Sequence, residues 1–480
     1  MKIDQRGQKM ENKFSNRRIF FKKMSLAGLV FSGIPGFFFV QCAGRTKQAK
    51  VKHWDVIVAG GGPGGVPAAV AAARNGARVL LVEKYGFLGG MATAALIVPY
   101  MKYSAGDAII IRGLFEEFQD ILQKNGGIVE MKATAQDQIR LNTFTTDLQS
   151  RANFDDETMK WVLDRFVLDS GAELLLHTQA IGVLKKGNAV KALRVFHKGG
   201  VEDLSADIFV DSTGDGDIAA WAGAKIEIGR EGDSACQPMT ASFRMAGVDE
   251  KKMPDGQEIN RLYDEAKQRG EVKNPRENVL KFRTVHPDVF HFNSTRVIGK
   301  TALDGWSLTE AEIEGRRQVE EMARFLKKRI HGFENSYLMK TGTQIGVRES
   351  RRVIGRYVLT GEDVLGARHF DDGVACGSYD IDIHNPSGAG TVIQRLKEGT
   401  YYQIPYRCLV PEGIDNLIVA SRCISSTHEA HSSLRVMPIV WAIGQAGGTA
   451  AALCAKKKIL PSAVSAAELR KMLTEQKAFV

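Results

Sequence analysis

Residues 54 to 91 follow a strand–turn–helix–strand pattern that restricts the fold of this chain more than any other stretch of its sequence. The apolar run at 56–58 predicts a buried parallel strand, which leads into the glycine-rich segment 60–65 and then an Ala-rich helix. A second apolar run at 79–82 predicts the next strand. All parts of a βαβ dinucleotide-binding unit are present and in order, which favours this interpretation over a Gly-rich turn of another α/β fold.

The glycine spacing and the acidic residue after the second strand indicate how the unit would hold a pyrophosphate and a ribose. Gly60 permits the tight turn, Gly62 lets the backbone approach the pyrophosphate, and Gly65 lets the helix pack close to the strand. The start of the helix offers unpaired N–H groups to the phosphates. Glu83 lies where a carboxylate accepts hydrogen bonds from ribose hydroxyls. The predicted dinucleotide contacts are Gly60, Gly62, Pro63, Gly64, Gly65 and Glu83.

The residues that follow Glu83 favour FAD over NAD. Lys84 and then Gly89-Gly90-Met91 come next, and only residues without bulk let a chain lie close beneath a flavin ring. No second Gly-x-Gly-x-x-Gly follows a strand and opens a helix, so a separate NAD(P)H domain is not predicted. We therefore expect a small-molecule substrate, or an unidentified electron acceptor or donor, to dock directly over the flavin.

Seven segments carry a resemblance to a known family: GGGPGGVPAA, EKYGFLGGMAT, DSTGDGD, CQPMT, QIGVRESRR, SYDIDIHNP and ASRCISSTHEAHSSLRVMP. They span about residues 54 to 455. The chain resembles the FAD-dependent oxidoreductases of the two-domain, glutathione-reductase-like flavoprotein superfamily, and more narrowly the bacterial group named FAD-dependent oxidoreductase. The resemblance implies FAD as the cofactor but no particular substrate. With it, the expected flavin contacts extend to Lys84, Gly89, Gly90, Met91, Ala180, Gly214, Asp215, Val436 and Met437.

The order of predicted elements indicates an α/β fold, with a discontinuous Rossmann-type FAD-binding domain and an inserted α+β substrate domain. The FAD-binding domain is expected at 53–225 and 412–480, and the substrate domain at 226–411. Residues 1–52 are expected to be an export signal and linker. Two capping boxes each predict the first turn of a helix: Thr309-x-x-Glu312 and Ser465-x-x-Glu468.

The charge of the chain is concentrated at its N-terminus. Residues 1–52 hold 12 Lys and Arg against 2 Asp and Glu, whereas the other 428 residues hold 53 of each sign, so the net charge of +10 indicates no nucleic-acid surface. The segment NRRIFFK at 16–22 precedes an apolar stretch at 24–40 and resembles a signal for the twin-arginine export machinery. We expect export to the periplasm or cell envelope. An uncleaved membrane anchor, a plain secretory signal and lipid attachment at Cys42 are the alternatives.

Neither the cysteines nor the acidic and histidine residues show the spacing of a metal site. The six cysteines form no CxxC pair, so a redox dithiol or an iron–sulfur site is not expected. Asp380-x-Asp382-x-His384 would need a third ligand that the sequence does not offer, and a structural role is favoured. No metal is predicted.

The segment before the last long helix contains three of the four catalytic candidates. Arg435 comes just before Pro438, which suits the first turn of a helix whose N-terminus would stabilise negative charge on a reduced flavin. His428, with Glu429 beside it, could act as a general acid or base at the rim of the flavin. The alternative is a structural histidine on a tight loop.

The segment QIGVRESRR at 344–352 contains the fourth catalytic candidate, Arg348, and is the main candidate for substrate binding. Arg348 or Arg351 could anchor an acidic substrate, because a guanidinium group is a fixed cation with a planar fork. Internal pairing with Glu349 is the alternative.

These features together predict hydride transfer between a small organic substrate, carbohydrate-like or acidic, and a bound flavin. A flavin-dependent reductase of C=C bonds and a non-catalytic flavin electron carrier are the alternatives. A His/Arg dyad over the flavin would favour the reductase, whereas a large polar cavity beside Arg348 and His428 would argue against the carrier.

Overall fold

The computed structural model describes residues 52–130 and 152–480. The predicted export signal at 16–22, the apolar stretch at 24–40 and Cys42 lie outside these described residues. The α-helices of the described residues are α1 (Gly65–Arg74), α2 (Met91–Ala94), α3 (Leu114–Lys124), α4 (Asp156–Leu168), α5 (Asp217–Ala222), α6 (Gly256–Gln268), α7 (Gly305–Arg329), α8 (Gly361–Leu365), α9 (His428–Leu434), α10 (Met437–Lys457) and α11 (Ala466–Glu475).

The strands form one large mixed sheet, an antiparallel sheet of four strands and several short pairs. Two 3₁₀ turns, Tyr406–Leu409 and Pro461–Ala463, lie between regular elements. The strands are β1 (His53–Ala59), β2 (Val79–Val82), β3 (Ser104–Ala105), β4 (Ala108–Ile109), β5 (Ile128–Glu130), β6 (Ala152–Phe154), β7 (Glu173–Leu175), β8 (Gln179–Lys186), β9 (Ala189–His197), β10 (Gly200–Asp211), β11 (Ile226–Ile228), β12 (Phe243–Ala246), β13 (Lys281–Arg283), β14 (Phe290–Phe292), β15 (Tyr337–Thr341), β16 (Arg351–Val353), β17 (Gly373–Gly377), β18 (Ile381–His384), β19 (Thr391–Gln394), β20 (Tyr402–Pro405) and β21 (Leu417–Val419).

The central sheet is built on the βαβ unit that the sequence predicts. β7, β2, β1, β10 and β21 run parallel, and the first half of β10 also pairs antiparallel with β9, which pairs with β8. Ala59 lies opposite Asp211, and Asp211 lies opposite Val419. The carboxyl ends of β1, β10 and β21 therefore meet at one edge of the sheet, where ligands of such α/β folds bind. The predicted α/β, Rossmann-type fold class is confirmed.

Helices α1 and α10 pack against each other through residues without bulky side chains. A Cβ atom at Gly448 would lie 2.0 Å from the carbonyl oxygen of Ala68, and one at Gly444 would lie 2.2 Å from that of Gly64. By length and composition α10 could cross a membrane, but 94% of its most apolar window is buried inside the fold, as in a core helix. The contact holds the glycine-rich start of α1 in place.

A second, smaller core lies within the expected substrate domain. The antiparallel sheet β13–β14–β12–β15 packs with α6 and α7, and the rings of Phe243 and Phe292 stack with 5.0 Å between their centroids. The apolar residues of this core come from 243–333. Apolar residues of 353–409, also in the expected substrate domain, pack instead in the larger core with the βαβ unit.

One of the two predicted helix starts is confirmed and the other is wrong. Ser465 caps α11 by accepting a hydrogen bond from the backbone N–H of Glu468 at 3.4 Å. The helix α7 begins before Thr309, because Asp304 accepts a hydrogen bond from the backbone N–H of Ser307 at 2.8 Å. An aspartate is as good a cap as a threonine, and here it comes earlier in the chain.

His291 on β14 is a buried histidine whose ring nitrogens have no hydrogen-bond partner among the described residues. Burial, and then the positive charge of Arg244, lower the pKa of His291 from 6.5 to about 3. The unfolded chain therefore takes up a proton near pH 6.5 that the folded protein takes up only near pH 3. The stability that depends on the neutral ring is complete above pH 6.5 and is lost as the pH falls towards 3.

We therefore expect His291→Phe to make the protein less sensitive to acid. Between about pH 6 and about pH 4, the free energy of unfolding should fall less steeply than in the wild type, by up to about 1.4 kcal/mol per pH unit. Urea unfolding at several pH values measures this slope. His286→Gln, at an exposed histidine, should leave the slope unchanged, and an unchanged slope in His291→Phe would contradict the expectation.

Candidate active site

A cavity of about 640 Å³ lies at the carboxyl edge of the central sheet. Residues that closely follow β1, β2, β10 and β21 form one part of its wall, and charged side chains from more distant segments form another. The nucleotide end is defined by Gly60, Gly62, Glu83, Gly214 and Ser421. The arginine end is defined by Arg276, Arg348, His384 and Arg435, which line the cavity, and by Arg296, which lies behind this wall 3.2 Å from the ring of His384.

Backbone forms much of the nucleotide end. Gly60 has a φ of +99°, and a Cβ atom there would lie 2.4 Å from the carbonyl oxygen of Ser212. A Cβ atom at Gly90 would lie 2.8 Å from the Cα atom of Gly62. The two glycine segments therefore approach each other closely and line the cavity without side chains, which fits the approach of a dinucleotide and its flavin ring.

Glu83 lies at the end of β2 and is buried in the cavity wall. One carboxylate oxygen accepts a hydrogen bond from the backbone N–H of Gly61 at 2.7 Å, and the other accepts one from that of Tyr85 at 2.9 Å. Burial raises the pKa of Glu83, against the lowering effect of these two N–H groups. Each oxygen keeps a second lone pair, so the carboxylate can fix the loop and still accept a ribose hydroxyl.

Asp211 fixes the turn that follows β10. Its carboxylate is fully buried and accepts hydrogen bonds from the backbone N–H and the hydroxyl of Thr213 and from the backbone N–H of Ala219. Burial raises the pKa of Asp211 to about 6. The turn places Gly214 and Asp215 in the cavity wall. The Asp215 carboxylate then accepts a hydrogen bond from Arg422 at 2.7 Å, which joins the turn to the segment after β21.

Most of the predicted cofactor contacts lie together in the cavity wall, and three do not. The contacts in the wall are Gly60, Gly62, Pro63, Gly64, Glu83, Lys84, Gly90, Met91, Gly214, Asp215, Val436 and Met437. Gly65 instead packs against the backbone of Gly60, and Gly89 packs against Thr93. Ala180 lies on β8 and pairs with Val195, outside the cavity wall.

The N-terminus of α10 faces the cavity. Val436 is the N-cap residue, Pro438 lies in the first turn as predicted, and Val436, Met437 and Val440 line the wall. Unpaired backbone N–H groups at such an N-terminus favour negative charge on a bound group.

At the arginine end, guanidinium groups surround the imidazole of His384. Its Nδ1 atom lies 3.3 Å from Nη1 of Arg276 and 3.2 Å from Nη2 of Arg296. Because a guanidinium group only donates hydrogen bonds, this nitrogen accepts them and carries no proton. Burial, and then the positive charges of Arg348, Arg276, Arg435 and Arg296, lower the pKa of His384 well below 6.5. The imidazole is therefore a neutral acceptor held between cations.

Arg348 differs from the other arginines of this end. Its Nη1 donates a hydrogen bond to the carbonyl oxygen of Pro238 at 2.5 Å, and it forms no ion pair with any described residue. Burial, followed by the neighbouring guanidinium of Arg435, lowers the pKa of Arg348. Arg351, the other predicted anchor, lies outside the cavity wall and pairs with Asp217 at 2.7 Å. Arg348 is thus the one of the two that presents donors to the cavity.

His428 and Glu429 do not line the cavity. The expected loop is the short helix α9, and His428 in its first turn is buried, with Nδ1 lying 2.8 Å from the carboxylate of Glu349. The same carboxylate oxygen accepts a hydrogen bond from Arg352 at 2.8 Å, so the internal partner of Glu349 is Arg352 and not Arg348 or Arg351. Glu429 is exposed. Both residues therefore lie away from the place where a substrate would contact Arg348.

Sequence reasoning missed several residues of the arginine end. Arg276 and Arg296 stand in no recognisable motif, and for His384 the sequence favours a structural role. Gln237 is not among the predicted site residues, although its side-chain oxygen lies 3.4 Å from Nη2 of Arg435 and its backbone N–H donates to Glu349 at 3.0 Å. The segment CQPMT at 236–240 was the only signal that pointed to it.

The nucleotide end fits FAD, and comparisons with known proteins agree. Digeranylgeranylglycerophospholipid reductase of Methanothrix thermoacetophila is 28% identical over 189 residues, which cover 35% of this chain and 41% of that protein. The reductase of the same name from Thermoplasma volcanium is 27% identical over 215 residues, or 42% and 48% of the two chains. This chain therefore matches less than half the length of these relatives.

A solved structure from Thermoplasma acidophilum, described as geranylgeranyl bacteriochlorophyll reductase-like, covers 88% of this chain and 84% of its own, at 14% identity and a TM-score of 0.43. The family model for FAD dependent oxidoreductase matches residues 55–473, which include both ends of the cavity. The protein is therefore an enzyme with FAD as its cofactor. This chain belongs to the FAD dependent oxidoreductase family.

Proposed function

We propose that the protein transfers a hydride between FAD and a small organic substrate whose anionic group is held by Arg348. The observation that carries this proposal is that Arg348 lies in the cavity wall with one hydrogen bond, to Pro238, and without an ion pair among the described residues. FAD supplies the hydride acceptor or donor when bound, and the chain supplies binding, orientation and electrostatics.

A guanidinium group in a cavity wall without a carboxylate partner is costly, because it has lost part of its hydration. Other arginines of the arginine end have such a partner. Arg296 lies 3.0 Å from Glu277, and Arg435 lies 3.8 Å from Asp382. A substrate carboxylate would supply the ion-pair partner that Arg348 lacks among the described residues. It would bind in the bidentate geometry that guanidinium groups favour. An acidic substrate is therefore better supported than a neutral carbohydrate.

Reduction of a C=C bond is the second candidate, since the curated relatives are reductases by name. In this direction Arg348 would hold an unsaturated acid. The bound cofactor would supply a hydride to one carbon of the C=C bond, and solvent would supply the proton for the other carbon. The non-catalytic carrier has less support, because the cavity extends beyond the nucleotide end to the guanidinium of Arg348, which forms no ion pair with any described residue.

Anaerobic flavin spectroscopy tests the proposal. The oxidised protein is mixed with hydroxy acids or with the matching neutral alcohols, and the dithionite-reduced protein is mixed with crotonate or with crotonamide. We expect only the acids to change the redox state of the flavin. In Arg348→Gln the effective concentration of the acid should rise about 30- to 100-fold, which corresponds to roughly 2–3 kcal/mol for a lost charge-assisted contact.

Arg356→Gln is the matched control, because Arg356 is exposed and its Nη1 bonds to the carbonyl oxygen of Ser462 away from the cavity. It should behave like the wild type, and all variants should keep their flavin absorbance. If neutral analogues react as well as the acids, or if Arg348→Gln is indistinguishable from Arg356→Gln, the proposed role of Arg348 is wrong.

A further inference from the structure

We propose that the arginine end recognises a dianion, so that the substrate carries either two carboxylates or one phosphate monoester in addition to its reacting carbon. This inference rests on the proposed function, because it specifies the anionic substrate that Arg348 would hold.

The charges in this end of the cavity wall and directly behind it do not balance. Three carboxylates are opposed by five guanidinium groups, which leaves two positive charges in excess. The carboxylates of Glu277, Asp380 and Asp382 and the guanidinium groups of Arg276, Arg348, Arg395 and Arg435 line the wall, and the fifth guanidinium group, that of Arg296, lies behind it against Glu277 at 3.0 Å. His384 adds no charge, since its Nδ1 accepts hydrogen bonds from two of the arginines. A ligand with two negative charges would neutralise the excess.

The internal ion pairs show where the excess lies. Glu277 is shared by Arg276 at 3.7 Å and Arg296 at 3.0 Å. Other donors of Arg296 are also in use, since its Nη1 donates to the carbonyl oxygens of Gly388 and Gly390. Arg296 is 1% exposed, so it supports the wall rather than offering donors to a ligand.

Arg348 and Arg435 both keep donors for a ligand at this end, whereas Arg395 lines it with a side chain that is exposed to solvent. Arg435 lies 3.8 Å from the Asp382 carboxylate, and its Nη2 donates to the backbone oxygen of Asp382 at 3.3 Å. Its buried Nε atom has no hydrogen-bond partner among the described residues. The Asp382 carboxylate already accepts the hydroxyl of Tyr379 at 2.8 Å. Arg348 has only its hydrogen bond to the carbonyl oxygen of Pro238 within the described part of the chain. Two guanidinium groups with unused N–H donors therefore line the same end of the cavity, and each can bind two oxygens of an anionic group.

A monoanion bound by Arg348 would leave Arg435 in this wall with only the distant Asp382 carboxylate, at 3.8 Å, as a counter-charge among the described residues. A dianion satisfies both, either with one carboxylate on each guanidinium or with the oxygens of one phosphate shared between them. The two ligand chemistries are the same in charge and differ in the separation of their oxygens, which binding measurements can distinguish.

The test is a titration of the full-length holoenzyme, followed by the flavin absorbance difference spectrum at constant ionic strength. The probes are acetate, succinate and methyl phosphate at pH 7.5. We expect succinate or methyl phosphate to bind at least tenfold more tightly than acetate. A preference for succinate identifies the dicarboxylate form, and a preference for methyl phosphate identifies the phosphate form. In Arg348→Gln this preference should be lost, and in Arg356→Gln it should be kept.

Equal affinity for acetate and the two dianions would overturn the inference, whether or not any variant folds. If Arg348→Gln then still weakened all three probes, the proposed function would stand without its dianion specificity. If no probe bound and Arg348→Gln reacted with acids as the wild type does, the proposed function would fall as well.

Discussion

Replacing Gly448 with alanine is expected to destabilise the protein by roughly 3 kcal/mol or more and to lower its FAD content. The added methyl group would press against backbone, which cannot move aside as a side chain can, so its cost lies at the upper end of that of an overpacked core. The new Cβ atom would lie 2.0 Å from the carbonyl oxygen of Ala68 and 2.6 Å from its Cα atom. Both atoms belong to α1, whose start forms part of the nucleotide end. To relieve the contact, α1 and α10 must move apart, which would displace Gly64 from the cavity wall.

Thermal unfolding and the flavin absorbance of the purified protein measure the two effects. Gly305→Ala is the control, since Gly305 opens α7 and a Cβ atom there would have nothing within 4 Å. That change should leave stability within about 0.5 kcal/mol of the wild type or raise it slightly. If Gly448→Ala unfolded at the same temperature as Gly305→Ala and kept its flavin, the close packing of α1 on α10 would be contradicted.

The parts of the structure that depend on neighbours in sequence could be predicted. The strands β1 and β2, the helix α1 and the place of Glu83 after β2 follow from spacing within one short stretch, because a βαβ unit is local. Pro438 indicated the start of α10 for the same reason. The family resemblance then gave FAD, which agrees with the family match over residues 55–473.

The arginine end could not be predicted, since its residues come from separate segments. Arg276, Arg296, His384 and Arg435 meet only after the second core has packed beside the central sheet. A lone arginine in sequence is most often a surface residue, and nothing near Arg276 or Arg296 distinguishes them.

His428 shows that local sequence can also predict a site residue wrongly. Its sequence neighbours predict the rim of the flavin, but the side chain is buried and its Nδ1 is hydrogen-bonded to Glu349, which is distant in the chain. Local patterns do not reveal such a partner. The residue therefore belongs to the network beneath the arginine end and not to the cavity wall.

The Glu349 carboxylate is the centre of that network, and its removal is expected to cost about 3–5 kcal/mol in the free energy of unfolding. Glu349 accepts hydrogen bonds from Arg352 at 2.8 Å and from the backbone N–H of Gln237 at 3.0 Å, and it pairs with His428 at 2.8 Å. Arg352 is 3% exposed, and its other carboxylate partner, Glu227, lies 3.6 Å away. In Glu349→Ala the buried guanidinium therefore loses its near counter-charge.

Urea unfolding of the holoenzyme should rank the variants by how much of this network each one keeps. Glu349→Gln keeps the shape and part of the hydrogen bonding, so it should fall between the wild type and Glu349→Ala. Glu310→Ala is the control, because it removes a partly exposed pair with Lys300 and should cost less than about 1 kcal/mol. Anion binding should weaken in Glu349→Ala too, since Gln237 would no longer be fixed beside Arg435. A Glu349→Ala protein as stable as Glu310→Ala would contradict the structural role of the buried carboxylate.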